Sequence, residues 1–158
     1  MLKARWMEIR PEDFEAVVGM GVTVLKKNPT RVLGLLKRCL PGGPRDHAAV
    51  VVENEDGIVG YAIYKHSGEA EIKVKQLAVA SHFRREGAGK TALRWIVDCY
   101  TASKRAIVAD VSENNFAAQR LFASVGFKAQ LVRNNRDDGD KYRFSCRPTE
   151  DKAQKEKV

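Results

Sequence analysis

A glycine-containing segment between a predicted strand and a predicted helix has the residue types of a phosphate-binding loop. It reads Arg84-Arg85-Glu86-Gly87-Ala88-Gly89-Lys90. Glycines let a ligand approach the backbone closely, and the start of a helix presents unpaired N–H groups and the positive end of the helix dipole. The basic side chains add positive charge. The segment therefore predicts a pyrophosphate site, and the alternative is a turn that only starts a helix.

The same segment partly matches the P-loop of nucleotide hydrolases. Gly89-Lys90-Thr91 is similar to the end of that motif, and Ile107-Val108-Ala109-Asp110 imitates the strand and aspartate of a magnesium site. However, the P-loop spacing requires a glycine five residues before Gly89, where this chain has Arg84. A side chain there would disrupt the tight turn around the phosphates. The sequence therefore disfavours a P-loop protein.

The elements that would position this loop alternate between strands and helices. The apolar periodicity predicts strands at 4–9, 48–52, 58–64, 71–80, 105–111, 127–133 and 141–146. It predicts helices from Pro11 onward and at 29–40, 87–103 and 115–125. This order indicates a single domain of the α/β (α+β) class, with an antiparallel first half and a strand-helix-strand unit in the middle.

The strand at 71–80 contains a phase slip. Ile72 and Val74 share one parity, whereas Leu77 and Val79 share the other. Since side chains of a strand alternate between its faces, the slip predicts a bulge near residues 75–76. A strand buried on both faces would also blur the alternation, so this alternative stays open.

Composition narrows the class of protein. Among 158 residues, 44% are hydrophobic and 30% are charged, and the net charge is +8. No stretch approaches the roughly 20 apolar residues of a membrane helix, and the start lacks a signal peptide, so we expect a cytoplasmic protein without a membrane partner. The three cysteines have no metal-ligand spacing, so we expect no metal. Residues 148–158 are polar and basic, which predicts a disordered tail.

Two blocks of sequence together resemble the GNAT acetyltransferases, and more narrowly the N-terminal alanine acetyltransferases of ribosomal proteins. The first block is Leu77-Ala78-Val79 followed by the loop at 84–89, similar to the family's strand and Arg/Gln-x-x-Gly-x-Gly/Ala loop. The second is Asn115-Phe116-Ala117-Ala118 with Leu121-Phe122 and Gly126-Phe127, similar to its Asn-x-x-Ala, Leu-Tyr and Gly-Phe block. They lie about 30 residues apart, as a strand-helix-strand unit allows.

The resemblance implies one GNAT-like domain at 1–147, with a mixed, mostly antiparallel sheet, splayed central strands and flanking helices. It implies that acetyl-coenzyme A binds between the splayed strands. Backbone groups of Leu77 and Val79 would hold the pantetheine and polarise the thioester, backbone amides at 85–90 would hold the pyrophosphate, and Asn115 would contact the coenzyme arm. The implied cofactor-binding residues are Leu77, Ala78, Val79, Arg84, Arg85, Glu86, Gly87, Ala88, Gly89, Lys90, Asn115, Ala118 and Phe122.

Two carboxylates are candidates for the general base. Asp110, five residues before Asn115, matches the position of a family glutamate that resembles the base. Its alternative role is to brace the sheet or cap a loop. Glu71, at the start of the bulged strand, is the second candidate, and its alternative is an ordinary solvated charge.

The position of the general acid departs from the family. Many relatives have a tyrosine where this chain has Phe122, which has no proton to give. The thiolate would then leave unaided, or water or a tyrosine such as Tyr142 would supply the proton. In the third alternative Phe122 only packs and the protein is a poor or inactive catalyst.

The resemblance thus implies an N-acetyltransferase that moves an acetyl group from acetyl-coenzyme A to a primary amine by direct attack in a ternary complex. The first two helices and the loop at 136–140, which would face the acceptor, have no recognisable motif. A protein N-terminus, a lysine and a small molecule therefore all remain open as acceptors. The alternative functions are an acyl-coenzyme A-binding module with little turnover and the disfavoured P-loop protein. We expect a monomer or a homodimer, and we do not expect nucleic acid as a partner.

Overall fold

Seven strands and four helices make up the part of the chain that the computed structural model describes, namely residues 1–8, 10–40, 46–80, 83, 86–100, 103, 105–132 and 140–147. The strands are β1 (Lys3–Trp6), β2 (His47–Asn54), β3 (Gly57–Ser67), β4 (Glu71–Val79), β5 (Ala106–Ser112), β6 (Lys128–Val132) and β7 (Lys141–Cys146). The helices are α1 (Pro11–Thr23), α2 (Pro29–Cys39), α3 (Ala88–Cys99) and α4 (Phe116–Ser124). Every predicted element is present, and α3 ends before the predicted residue 103 because Tyr100 leaves the helical conformation (φ −112°, ψ 16°).

The described strands form one sheet in the order β1-β2-β3-β4-β5-β7-β6. All neighbouring strands are antiparallel except β4 and β5, which are parallel and are connected through α3. A parallel pair requires a crossover of this kind, and a helix is its usual form. The mixed, mostly antiparallel sheet that the family resemblance implied is therefore confirmed.

Helices cover both faces of the sheet, which gives the domain two apolar cores. Val50 and Val52 of β2 face the core shared with α3 and α4. Ala49 and Val51 alternate with them and face the core shared with α1 and α2. Because both faces of β2 are buried, its sequence is a continuous apolar run rather than an alternation of apolar and polar residues.

A buried carboxylate fixes the start of α1. Arg5 of β1 donates two hydrogen bonds to Asp13 (2.8 and 3.0 Å), and the backbone N–H of Glu8 donates a third (2.7 Å). Arg10 donates a fourth from its Nε (3.0 Å). These bonds satisfy a carboxylate that has no exposed surface, so α1 is held against β1 at a defined position.

The central strands separate at a bulge in β4. Ile63 of β3 pairs with Gln76 while Tyr64 pairs with Val74, so Lys75 is an extra residue on β4. This register shift confirms the predicted bulge. β4 pairs with β5 only over residues 71–73, opposite 106–108, and past Lys73 no described residue of β5 is its partner. The bulge and the separation open a gap in the middle of the sheet.

Candidate active site

A cavity of about 1010 Å³ occupies the gap between β4 and β5. Residues 74–79 of β4 and 109–112 of β5 form two of its walls. The first turn of α3 at 87–90 and residues of α4 form the others, and the segment after α1 closes one side. The cavity thus brings together both sequence blocks that carried the family resemblance.

The N-terminus of α3 is suited to bind an anion. Gly87 precedes the helix in the left-handed region (φ 88°, ψ 15°), and no side-chain hydrogen bond caps the helix. By contrast, Asn28 caps α2 and Asn115 caps α4. The N–H groups of a first helical turn have no acceptor within the helix, so those of residues 88–90 are available to a phosphate at the cavity wall.

The second glycine of the loop has a packing role. A Cβ added at Gly89 would lie 2.9 Å from Cδ2 of Leu121 on α4 and 3.6 Å from Val79. Gly89 is buried and lets α3 pack closely on α4 beside the strand. Gly89 therefore allows the two helices to pack closely, whereas Gly87 allows the left-handed backbone conformation that precedes α3.

The other residues predicted to hold the pyrophosphate divide into two groups. Ala88 and Lys90 line the cavity, whereas Glu86 is exposed and does not. Arg84 and Arg85 lie outside the described residues, so their contribution stays a prediction.

One edge of β4 is free to bind a ligand through its backbone. Leu77, Ala78 and Val79 line the cavity, and their strand partners Ala62, Tyr61 and Gly60 lie on the β3 side. Strand residues direct backbone groups alternately to the two edges. The edge facing the cavity, which no described strand covers, therefore presents N–H and C=O groups in the extended pattern that can bind an amide-containing arm.

Three predicted residues of the α4 block also line the cavity, namely Asn115, Ala118 and Phe122. Asn115 accepts a hydrogen bond from the backbone N–H of Ala118 (3.1 Å) and so caps α4. Phe122 is buried and packs on the rings of Phe127 and Phe144, at centroid distances of 5.1 and 5.6 Å. Asn115 thus has a structural role in addition to its predicted contact.

None of the four tyrosines lines the cavity, and all four are among the described residues. Tyr142 packs beside Phe144 on the α3 side of the sheet. Tyr61 donates a hydrogen bond to Oε1 of Gln76 (2.8 Å), and burial raises the pKa of Tyr61. The structure therefore brings no tyrosine hydroxyl to the cavity surface.

The two candidate bases lie in different places. Asp110 lines the cavity and forms ion pairs with Nζ of Lys73 and Nε of Arg143, both at 3.0 Å. Partial burial raises the pKa of Asp110, but hydrogen bonds from Arg143 and Lys73 outweigh burial and hold that pKa below its usual range. Glu71 lies at the start of β4, opposite Ala106, and does not line the cavity.

Several cavity residues had not been predicted. Gln76 lines the cavity as a buried polar residue of the bulge, and a polar side chain in the middle of a buried strand was the signal for it. The segment that follows α1 also lines the cavity, through Val24, Leu25 and Lys27. No local sequence pattern marks these three, because their position depends on how α1 packs.

Two features are absent from the part of the chain that the structure describes. No group of three or more histidine, cysteine, aspartate or glutamate side chains there could hold a metal ion. No helix there is long and apolar enough to cross a membrane.

Comparison with known proteins agrees with this geometry. The family model described as "Acetyltransferase (GNAT) family" matches residues 5–127. A GNAT-family acetyltransferase from Bacillus cereus has a TM-score of 0.75 at 22% identity, with 93% of this chain and 97% of that chain covered. The ribosomal-protein-S18-alanine N-acetyltransferase from Escherichia coli has a TM-score of 0.70 at 17% identity, with 92% and 91% covered.

Acetyltransferases with other acceptors share the fold as well. An aminoglycoside 6'-N-acetyltransferase complexed with coenzyme A has a TM-score of 0.72 at 12% identity, with 94% of this chain and 97% of that chain covered. A search of curated protein sequences finds no significant match. Since the family model covers most of the chain, the protein belongs to the GNAT acetyltransferase family, whose enzymes depend on acetyl-coenzyme A, as the sequence resemblance implied.

Proposed function

We propose that this protein is an N-acetyltransferase that moves the acetyl group of acetyl-coenzyme A to the primary amine of a peptide or small molecule by direct attack in a ternary complex. The observation that carries the proposal is the cavity between β4 and β5, with an uncapped helix N-terminus in its wall. It combines an anion site, a free strand edge and an ionised carboxylate.

The residues present fit acetyl-coenzyme A. The N–H groups of residues 88–90 would hold the pyrophosphate, with Lys90 adding charge. The free edge at Leu77 and Val79 would bind the amides of the pantetheine arm, and Asn115 would contact the same arm from α4. Lys75 lies four residues before Val79, about 13 Å along the strand. Val79 lies beside Gly89 at the start of α3, so an extended arm bound along this edge would reach from the anion site to the bulge.

Bound acetyl-coenzyme A supplies an acetyl group activated as a thioester. The acceptor nitrogen forms a bond to the acetyl carbon, the carbon–sulfur bond breaks, and the nitrogen loses one proton. Asp110 lies at the cavity surface, where we propose that it orients the acceptor amine or removes its proton through water. Glu71 stays a second candidate that would have to act from outside the cavity.

The departing sulfur must take up negative charge or a proton. Phe122 cannot donate, and no tyrosine hydroxyl lines the cavity. A thiol pKa of about 8.5 makes a thiolate an acceptable leaving group near neutral pH. We therefore propose that the thiolate leaves unaided and takes its proton from water, so that catalysis is slow but real.

Binding and turnover are tested separately. Acetyl-coenzyme A should raise the melting temperature, because a ligand that binds only the folded state stabilises it by mass action, whereas magnesium-ATP should not. Release of free coenzyme A should then depend on an added amine, measured with a thiol reagent against peptides, polyamines and aminoglycosides. Binding without turnover on any amine would support the acyl-coenzyme A-binding module. Stabilisation by magnesium-ATP alone would support the P-loop alternative.

The surrounding organisation is part of the same proposal. The catalytic domain would span residues 1–147, with residues 148–158 as a basic tail outside it. The enzyme would work in the cytoplasm as a monomer or a homodimer. Light scattering of the full chain checks the oligomeric state, activity of a chain ending at residue 147 checks the domain boundary, and fractionation of cells checks the location.

A further inference from the structure

A row of charged side chains crosses the sheet beside the cavity. Lys65 of β3 is the cross-strand partner of Lys73 of β4. Lys73 forms an ion pair with Asp110 of β5, which is the partner of Arg143 of β7. Neighbouring strands are about 4.8 Å apart, so the row places three cations and one anion side by side.

More cations surround this row. Lys75, the extra residue of the bulge, and Lys27, after α1, both line the cavity. Burial lowers the pKa of Lys75, repulsion from Lys73, Lys65 and Arg31 lowers it further, and the charge of Asp110 acts in the opposite direction. Two cations, Lys27 and Lys75, thus lie at the cavity mouth, and the adjoining row adds Lys65, Lys73 and Arg143.

Cations outnumber carboxylates here, although Asp110 is not the sole anion: Glu71 lies two residues before Lys73 on the same face of β4, and its charge raises the pKa of Arg143. Asp110 forms ion pairs with both Lys73 and Arg143, so its single negative charge neutralises only half of their combined positive charge. No ion pair of Lys27, Arg31, Lys65 or Lys75 is found within the described residues. Like charges directly opposite each other on a sheet destabilise it, and Lys65 and Lys73 are such a pair. An anion at the mouth would relieve this repulsion.

We propose that the acceptor of this enzyme carries carboxylates close to its amine, and that Lys27, Lys65 and Lys75 bind them. This inference rests on the proposed acetyltransferase function and specifies its acceptor. An alkyl amine is protonated at neutral pH, so unpaired cations around Asp110 repel a simple amine or a polyamine. Carboxylates on the same molecule reverse that effect and bring the amine to the cavity.

A peptide series tests the inference. Three peptides share an N-terminal alanine and an amidated C-terminus, and differ only in the next three residues, which are Glu, Gln or Arg. A fourth has a blocked N-terminus and one lysine between glutamates, which distinguishes a side-chain amine from an N-terminal one. Free glutamate and free glutamine are assayed in the same way as small-molecule acceptors. We expect kcat/KM to fall in the order Glu, Gln, Arg, and the advantage of the Glu peptide to shrink between 50 and 500 mM salt.

Variants connect the preference to the named side chains. Lys75→Gln should lower kcat/KM for the Glu peptide by about threefold to fivefold, as expected for one exposed ion pair, and should change the Gln peptide little. Lys65→Gln should act in the same direction. Arg94→Gln is the matched control, because Arg94 is an exposed cation on α3, which packs on the opposite face of the sheet.

The possible results separate this inference from the proposed function. If acetyl-coenzyme A binds and all peptides react equally, or the Arg peptide reacts best, the acceptor preference is wrong and the proposed function stands. If acetyl-coenzyme A does not bind, the proposed function fails. If it binds and no peptide or free amino acid reacts, calorimetry with the coenzyme A-loaded protein decides, because only tighter binding of the Glu peptide supports the inference. Equal binding, or binding of a single-stranded oligonucleotide in preference to every peptide, overturns it.

Discussion

Replacing Gly87 by alanine tests the anion site with the smallest possible change. A Cβ at Gly87 would meet no atom within 4 Å, so the effect arises from backbone conformation and not from a clash. With φ at 88°, alanine costs about 1–2 kcal/mol relative to glycine. The loop must either keep its shape at that cost or relax and turn the first N–H groups of α3 away from the cavity.

The two consequences have different sizes. A loss of 1 kcal/mol lowers the melting temperature of a domain of this size by about 2–4 °C. A hydrogen bond to a charged group contributes about 1.5–3 kcal/mol, so the loss of one bond to a pyrophosphate weakens binding by at least about tenfold. For Gly87→Ala we therefore expect a modest loss of stability and a fall of tenfold or more in affinity for acetyl-coenzyme A.

Gly68 provides a matched control. It lies in the turn between β3 and β4 with φ at 70°, and a Cβ there would also meet no atom within 4 Å. Melting curves without ligand and calorimetry with acetyl-coenzyme A should show that Gly68→Ala loses similar stability and keeps full affinity. Gly89 is a poor choice, because its Cβ would press on Leu121. If Gly87→Ala behaves like Gly68→Ala in both assays, the N-terminus of α3 does not hold the coenzyme.

Three further predictions concern single side chains. Asp110→Asn should reduce acetylation at neutral pH and leave coenzyme affinity nearly intact. Because Arg143 and Lys73 hold the pKa of Asp110 below its usual range, the wild-type rate should rise only as the acceptor amine deprotonates, near pH 8 for an N-terminal amine, and an inflection independent of the acceptor would contradict this. Phe122→Tyr should keep coenzyme affinity and raise the acetylation rate, and no gain at any pH would show that the missing hydroxyl does not limit turnover. Asp13→Ala should cost about 3 kcal/mol in urea unfolding, since it removes the buried carboxylate that binds Arg5, Arg10 and the N–H of Glu8, although Arg5 keeps its ion pair with Glu53. Hydrogen bonds from Arg5 outweigh burial and lower the pKa of Asp13, so the wild-type advantage should be full at neutral pH and decline as the pH falls below about 4, whereas an equal loss at every pH would argue against an ionised Asp13.

The sequence predicted the elements and several of the residues that line the cavity, because the features involved are local. Alternation within β4 was enough to predict the bulge, which the shift from Val74 to Gln76 opposite β3 confirms. The strand, loop and helix that line the cavity are consecutive in the chain. Their arrangement follows from chain connectivity, so the residues of the motif come together without any long-range information.

The rest of the cavity depends on packing between distant segments. Lys27 reaches the cavity because α1 is anchored through Asp13 to β1, and because Gly21 lets α1 approach α2 closely. A Cβ at Gly21 would lie 2.7 Å from Cγ2 of Val32 and 3.0 Å from the hydroxyl of Tyr61. Glu71 was a candidate base because it lies at the start of the predicted strand. The structure places Glu71 outside the cavity, because β4 and β5 are still paired there and separate only after Lys73. The sequence does not reveal where this pairing ends.

The charged row that we propose to bind the acceptor is set by the register between strands, which no sequence motif reveals. Lys65 and Lys73 become neighbours only through the hairpin register of β3 and β4, and Asp110 meets Arg143 only through the pairing of β5 with β7. A shift of one residue in either pairing would move these side chains to the opposite face. The likeness to ribosomal-protein acetyltransferases lies in the coenzyme blocks, so it carries no information on the charge of the acceptor. The row of charges is the independent observation, and it favours an acidic acceptor over a basic one.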